Sequence, residues 1–169
     1  MREADRIVQQ MDRSFRGEAW SGPSLLDALA GVDAESAFAR PVPGAHTVWE
    51  LVLHLCGTYQ LVLRRTRGEP IDLTPEEDWP APPDEPSQQE WEGALARLES
   101  WHRELIEAAG ALEEADLQQM PAPRNRFTVY DQLHGLAQHN LYHAGQILLL
   151  RKASVAEGQP SQHGVEAPG

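Results

Sequence analysis

The chain has 169 residues, 41% of them apolar and 24% charged, with a formal net charge of −12 and a single cysteine, Cys56. That length suits one domain with a full core of its own, and one cysteine excludes an intrachain disulfide. So acidic a surface repels phosphate backbones and anionic lipid, and no apolar run approaches the ~20 residues of a membrane span, so neither nucleic acid nor membrane is expected as a partner. The start, MREADRIVQQMDR, has no signal-peptide core, and the expected address is the cytoplasm.

In chain order, Arg2 to Arg16 places Ala4, Ile7, Val8, Met11 and Phe15 at helical spacing. After Gly17, the Ser21-Gly22-Pro23 stretch restarts a short helix over Ser24 to Ala30, closed by Gly31. Asp33 can cap one more turn, Ala34 to Ala39, before Pro41 and Pro43 forbid continuation. Thr47 to Arg67 is the second long helix. Thr47 and Glu50 have capping-box spacing, and Val48, Leu51, Val52, Leu55, Tyr59, Val62 and Leu63 share one face. Arg64, Arg65 and Arg67 suit the dipole of its last turn, and Gly68 closes it.

The stretch EPIDLTPEEDWPAPPDEP then carries too many prolines for a long helix. It reads as an ordered crossover, since Ile71, Leu73 and Trp79 are costly to leave loose, and long connections often lie over a site. Ser87 and Glu90 repeat the capping-box signal and open the third long helix, to about Ala109, with Trp91, Leu95, Leu98, Leu105 and Ala109 on one face and His102 among them. A short turn over Glu113 to Leu117 leads into the loop QQMPAPRNRF. Thr128, with Asp131 three residues on, caps the fourth long helix, read to Arg151. The domain is thus expected over residues 1–152, with residues 153–169 an extended or flexible tail. Four long amphipathic helices without a strand pattern predict an all-α fold, an antiparallel four-helix bundle with long loops and short connector helices.

The chemistry concentrates on the fourth helix, where Val129, Leu133, Leu136, Ile147 and Leu150 mark a buried stripe interrupted by Asn140 and His143. His139 and His143 stand four residues apart, so their imidazoles lean the same way from adjacent turns. Buried polar groups need partners, and a metal ion is one that both rings can share. His54, on the flank of the second helix's apolar face, supplies a third nitrogen. Three imidazoles leave a coordination position for water or substrate, which is the pattern of a catalytic site. Zinc is the default divalent metal for such a set, with nickel or iron as alternatives. Zinc-protease chemistry is excluded because Asn140, not Glu, follows His139. Carboxylate-bridged di-iron bundles need inward-facing glutamates, and the acidic residues of the fourth helix reduce to Asp131 near its start.

Other candidates carry weaker signals. His102 is read as a core histidine that could still act as acid or base, and Gln146 as a residue orienting the site; these two are the catalytic candidates. Glu50 could orient His54, although capping already explains it. Tyr142 is read as packing or surface, Cys56 as a small apolar filler, and Trp79 as a wall of a substrate mouth. His46 and His134 are placed off the site, and His163 is read as a solvated tail residue.

PGAHTVWELVLHLCGTYQLVLRRTRGE and TVYDQLHGLAQHNLYHAGQILLLRK, with GEAWSGPSLLDAL, RPVPGAH and DWP, resemble the DinB-like (YfiT-like) family of bacterial four-helix bundles. The resemblance covers the chain to about Lys152. It implies an up-down-down-up bundle and a divalent metal held by His54, His139 and His143. It further implies a small-molecule substrate, a low-molecular-weight thiol as cosubstrate, and a homodimer. The expected function is a metal-dependent thiol S-transferase or hydrolase, and the alternative is a non-catalytic, stress-associated metal-binding protein.

Overall fold

Proline, glycine and capping side chains divide the chain into eight helices within residues 1–121 and 126–157, which the computed structural model describes. The four long helices are α1 (Glu3–Arg16), α4 (Val48–Thr66), α6 (Gln88–Gly110) and α8 (Val129–Glu157). Short connectors are α2 (Leu25–Leu29), α3 (Ala34–Phe38), α5 (Pro75–Asp78) and α7 (Glu114–Leu117). No strand occurs among the described residues, so the fold is all-α as expected.

The caps behave as their sequences suggest. Thr47 Oγ1 accepts from the Glu50 amide at 3.1 Å while the Glu50 carboxylate accepts from the Thr47 amide at 2.7 Å. Thr128 and Asp131 make the same reciprocal pair at the start of α8. At Ser87 only half of the box forms: its hydroxyl accepts from the Glu90 amide at 3.4 Å. Gly68 ends α4 with φ +84°, a left-handed conformation that a side chain would strain.

Neighbouring helices are read from which residues meet. Arg2 reaches the Gly110 carbonyl and Asp12 reaches His102, so α1 and α6 run antiparallel. Trp49 packs on Trp91 and Tyr59 bonds His102, so α4 and α6 run parallel. His54 meets His139 whereas Arg65 meets Gln132, which sets α4 antiparallel to α8. The long helices therefore run up, down, down, up. The expected stripes form the core: Ile7, Met11 and Phe15 of α1, Leu51, Leu55 and Tyr59 of α4, Trp91, Leu98 and Leu105 of α6, and Leu133, Leu136 and Ile147 of α8 are all buried.

A polar chain threads this apolar interior. Asn140 donates to Ser14 Oγ at 3.0 Å and to the Tyr59 hydroxyl at 2.8 Å. The Tyr59 hydroxyl lies 3.2 Å from His102 Nδ1, and His102 Nε2 lies 3.1 Å from the Asp12 carboxylate. With Nε2–H donating to Asp12, Nδ1 is an acceptor for the tyrosine proton, which Asn140 Oδ1, also at 3.2 Å, competes for. Every long helix takes part, α1 with both Asp12 and Ser14, so the chain fixes their relative register.

Three sequence expectations change. The crossover contains a helical turn, α5, because Thr74 caps it, its carboxylate partner Glu77 returns the bond, and Pro75 fits the first helical position. Helix α8 does not stop at Arg151 but continues to Glu157. Ala153, Ser154, Val155, Ala156 and Glu157 contain no proline or glycine, and the Ser154 hydroxyl donates to the Leu150 carbonyl at 3.2 Å. The remainder of the expected tail, including His163, lies outside the described residues. Arg65 is buried and ties the crossover down, donating to the Ile71 carbonyl at 2.9 Å and pairing with Asp72, so it does more than complement a dipole.

Candidate metal centre

Helix α4 carries His54 and helix α8 carries His139 and His143 to one point between them. His139 Nε2 lies 3.1 Å from His54 Nε2 and 2.9 Å from His143 Nε2. The rings meet edge to face, with centroids 4.3–5.2 Å apart. His54 and His143 are buried and His139 is half-buried.

The outer nitrogens determine what the inner ones can do. His54 Nδ1 lies 2.7 Å from the Asp78 carbonyl, which can only accept, so the proton sits on Nδ1 and the Nε2 lone pair faces inward. The Asp78 carboxylate also lies 3.1 Å from that nitrogen. His143 Nδ1 donates in the same way to Gln146 Oε1 at 2.6 Å. His139 differs, since its Nδ1 is buried with no hydrogen-bond partner among the described residues. At least two lone pairs therefore point at a third nitrogen within hydrogen-bond distance. A cation at their common focus removes the repulsion, and neutral imidazole is a suitable donor for it. The three histidines can hold a metal ion.

Electrostatics favours the neutral rings. Burial first, then the neighbouring His143 and His54, pushes His139 down to about 3. Burial likewise pushes His143 down to about 4, against the opposing bond from Gln146. Both rings hold free lone pairs at neutral pH, as metal ligands must.

Close approach of the crossover completes the site. Gly57 sits on α4 under α5, where an added Cβ would lie 2.6 Å from the Glu77 carbonyl oxygen. The missing side chain lets that backbone descend and place the Asp78 carbonyl on His54. The next residue, Trp79, then stacks on His54 with centroids 4.0 Å apart and planes at 4°. Its other face carries His46, at 3.8 Å and 13°.

His46 is consequently part of the site's surroundings, contrary to the sequence expectation, because its corner folds back over Trp79. Glu50 serves His46, Arg40 and the Thr47 amide rather than His54. Tyr142 is largely exposed, yet its ring lies 5.1 Å from His143 and it borders the adjacent cleft. His102 is kept from the site by its bonds to Tyr59 and Asp12 and by stacking on Phe15 at 3.8 Å. Glu99, three residues before it, is exposed, so this Glu-x-x-His spacing assembles no carboxylate site. His134 packs on Tyr130, away from the triad. Cys56 lies against the Ala94 carbonyl, and burial pushes its thiol up to about 11, which fits a filler and not a ligand. Asp78 is the site residue that sequence reasoning missed. Its carbonyl has no side-chain signature, although its neighbour Trp79 was singled out.

Beside His143 opens a cleft of about 330 Å³ between the 42–46 corner, Leu51, Trp79 and α8. The three imidazoles thus stand at the edge of an apolar cleft.

The family model described as DinB superfamily matches residues 20–147, more than half of the chain, and the chain belongs to that superfamily. No curated protein and no solved structure matches it.

Two outcomes follow from this geometry. Gly57→Ala is expected to weaken zinc affinity about 10–100-fold, the range for loss of an outer hydrogen-bond partner, with helix content retained. Gly93→Ala, which would meet only the far end of Arg97, is expected to leave affinity unchanged. Competition against a chromogenic chelator measures both, and equal affinity in native and Gly57→Ala protein would contradict the role given to the Asp78 carbonyl. The second concerns pH. His139 and His143 titrate near 6.5 when unfolded but only at about 3 and about 4 when folded. The unfolded chain thus binds more protons in that window, and stability present above 6.5 is lost as pH falls through it. Urea midpoints of the metal-free protein should drop between pH 7 and 4.5, and drop less in the His139→Asn/His143→Asn variant. Parallel pH profiles would contradict the assignment.

Proposed function

We propose that this DinB-superfamily chain is a metal-dependent enzyme acting on a small molecule, and specifically a low-molecular-weight-thiol S-transferase. The observation that supports it is the position of the three converging imidazoles at the edge of an apolar cleft. A closed structural site would have no such opening.

His54, His139 and His143 would hold the divalent metal, with zinc the first choice and nickel or iron the alternatives. Bound there, the metal supplies Lewis acidity that lowers the pKa of a coordinated thiol or water. The chain's own groups do the rest. Asp78 and Gln146 keep the Nε2 lone pairs directed inward. Trp79 covers one face of His54 and keeps water from it. The cleft holds the second reactant beside the triad. In the transfer, the thiol sulfur forms a bond to an electrophilic carbon, the leaving group departs with its bonding pair, and the thiol proton passes to solvent.

Hydrolysis by the same metal is the neighbouring reading. Thiol transfer is favoured by the low-molecular-weight thiol cosubstrate that the family resemblance implies, while His46 on the cleft wall can serve either reaction as a base. The contrasting reading is a non-catalytic metal-binding protein, for which the cleft would have no use.

Zinc-loaded protein is expected to accelerate the reaction of a small thiol with a chromogenic chlorodinitrobenzene. His143→Ala should lose more than the roughly 10–100-fold typical of an outer partner. Stopped-flow absorbance with several thiols reads the rates, and elemental analysis reads the metal. Equal rates for native and variant protein would remove the transferase reading. Stoichiometric metal without turnover of any thiol or ester would support the non-catalytic one.

A further inference from the structure

The cleft beside His143 is walled by the rings of His46, Trp79 and Tyr142 and by Leu51, Leu149 and Leu150. The chain carries 14 basic and 26 acidic residues, yet none of them lines this cleft. An ammonium seated there would lose its water without gaining a countercharge, and a carboxylate seated on the walls, away from the triad, would find no Lys or Arg. Flat rings and branched aliphatic groups instead match an aromatic or branched hydrocarbon body. Polar recognition is sparse and local. Gln146 gives its carboxamide oxygen to His143 Nδ1 at 2.6 Å, which leaves the amide NH₂ at the other end of the same planar group as a donor beside the triad. The rim is open, since Tyr142 and Leu149 are 64% and 65% exposed.

The size points the same way. About 330 Å³ accommodates a small molecule, at the lower end of the range of ligand sites. A thiol cosubstrate bearing carboxylates or sugar hydroxyls finds neither countercharges nor enough polar partners on these walls. The two reactants are therefore separated by chemistry, and the cleft belongs to the electrophile.

We infer that the electrophilic substrate bound in this cleft is an uncharged molecule with a flat aromatic or branched hydrocarbon body and one hydrogen-bond acceptor near its reacting carbon, taken by the Gln146 amide. This rests on the metal-dependent reading for the word substrate, while the binding preference rests on the cleft walls alone.

The test titrates metal-free protein with acetophenone and with 4-acetylbenzoate, its para-carboxylate analogue, by ligand-observed NMR, and repeats both titrations on zinc-loaded protein with metal content measured on the same samples. The neutral ketone is expected to bind at least about 10-fold more tightly than the carboxylate, because only the latter must bury a charge. Leu149→Glu, at an exposed position that tolerates the change, is expected to weaken ketone binding about 5-fold or more. Comparable affinity for ketone and carboxylate, or no effect of Leu149→Glu, would overturn the inference and leave the metal-dependent reading standing. Ketone affinity that falls as protein concentration rises would also overturn it, by assigning the cleft to a second copy of the chain. Failure to bind metal would remove the enzymatic reading, and the ketone-to-carboxylate comparison on metal-free protein would still decide the cleft's preference.

Discussion

The constraint on which the structure turns is the direction of three imidazole lone pairs. His54 and His143 have their Nδ1 protons taken by the oxygens of Asp78 and Gln146, so their Nε2 atoms face His139 Nε2 at 3.1 and 2.9 Å. Nitrogens so arranged in a buried place repel one another unless a cation or a proton lies between them. Burial disfavours the charged imidazolium at His139 and His143, so the focus suits either the single proton of a neutral His139 or a bound cation, and a cation is the one partner all three rings can share.

Much of the chain can be understood as support for that direction. Antiparallel packing of α4 on α8 brings His54 level with His139 and His143. The Ser14–Asn140–Tyr59–His102–Asp12 chain locks the register of all four long helices one residue away from His139. Gly57 lets the α5 backbone come down onto α4, and Arg65 holds the start of the crossover to the same helix. Trp79, the residue after Asp78, is sandwiched between His54 and His46 and forms one wall of the cleft. The triad's surroundings and the cleft wall thus depend on one short segment.

The sequence made the helices and the triad legible for a simple reason. Apolar periodicity, capping pairs and an i, i+4 histidine spacing are local signals, and His54 lay on a predicted inward flank. The short turn α5 was hidden by the prolines around it, although Thr74 and Glu77 already had capping-box spacing. The extension of α8 was hidden by the small residues after Lys152, which show no stripe but still favour a helix. Contacts that depend on tertiary approach were not legible at all. The Asp78 carbonyl is a backbone atom, the service of Gly57 is an absent side chain, and His46 reaches the site only because the 42–46 corner folds over Trp79.

X-ray absorption spectroscopy on the zinc-loaded protein tests the central claim most directly. The account predicts three imidazole nitrogens at about 2.0–2.1 Å, with the remaining coordination filled by a light atom. A sulfur scatterer at about 2.3 Å, or a shell of oxygens without imidazole scattering, would contradict it.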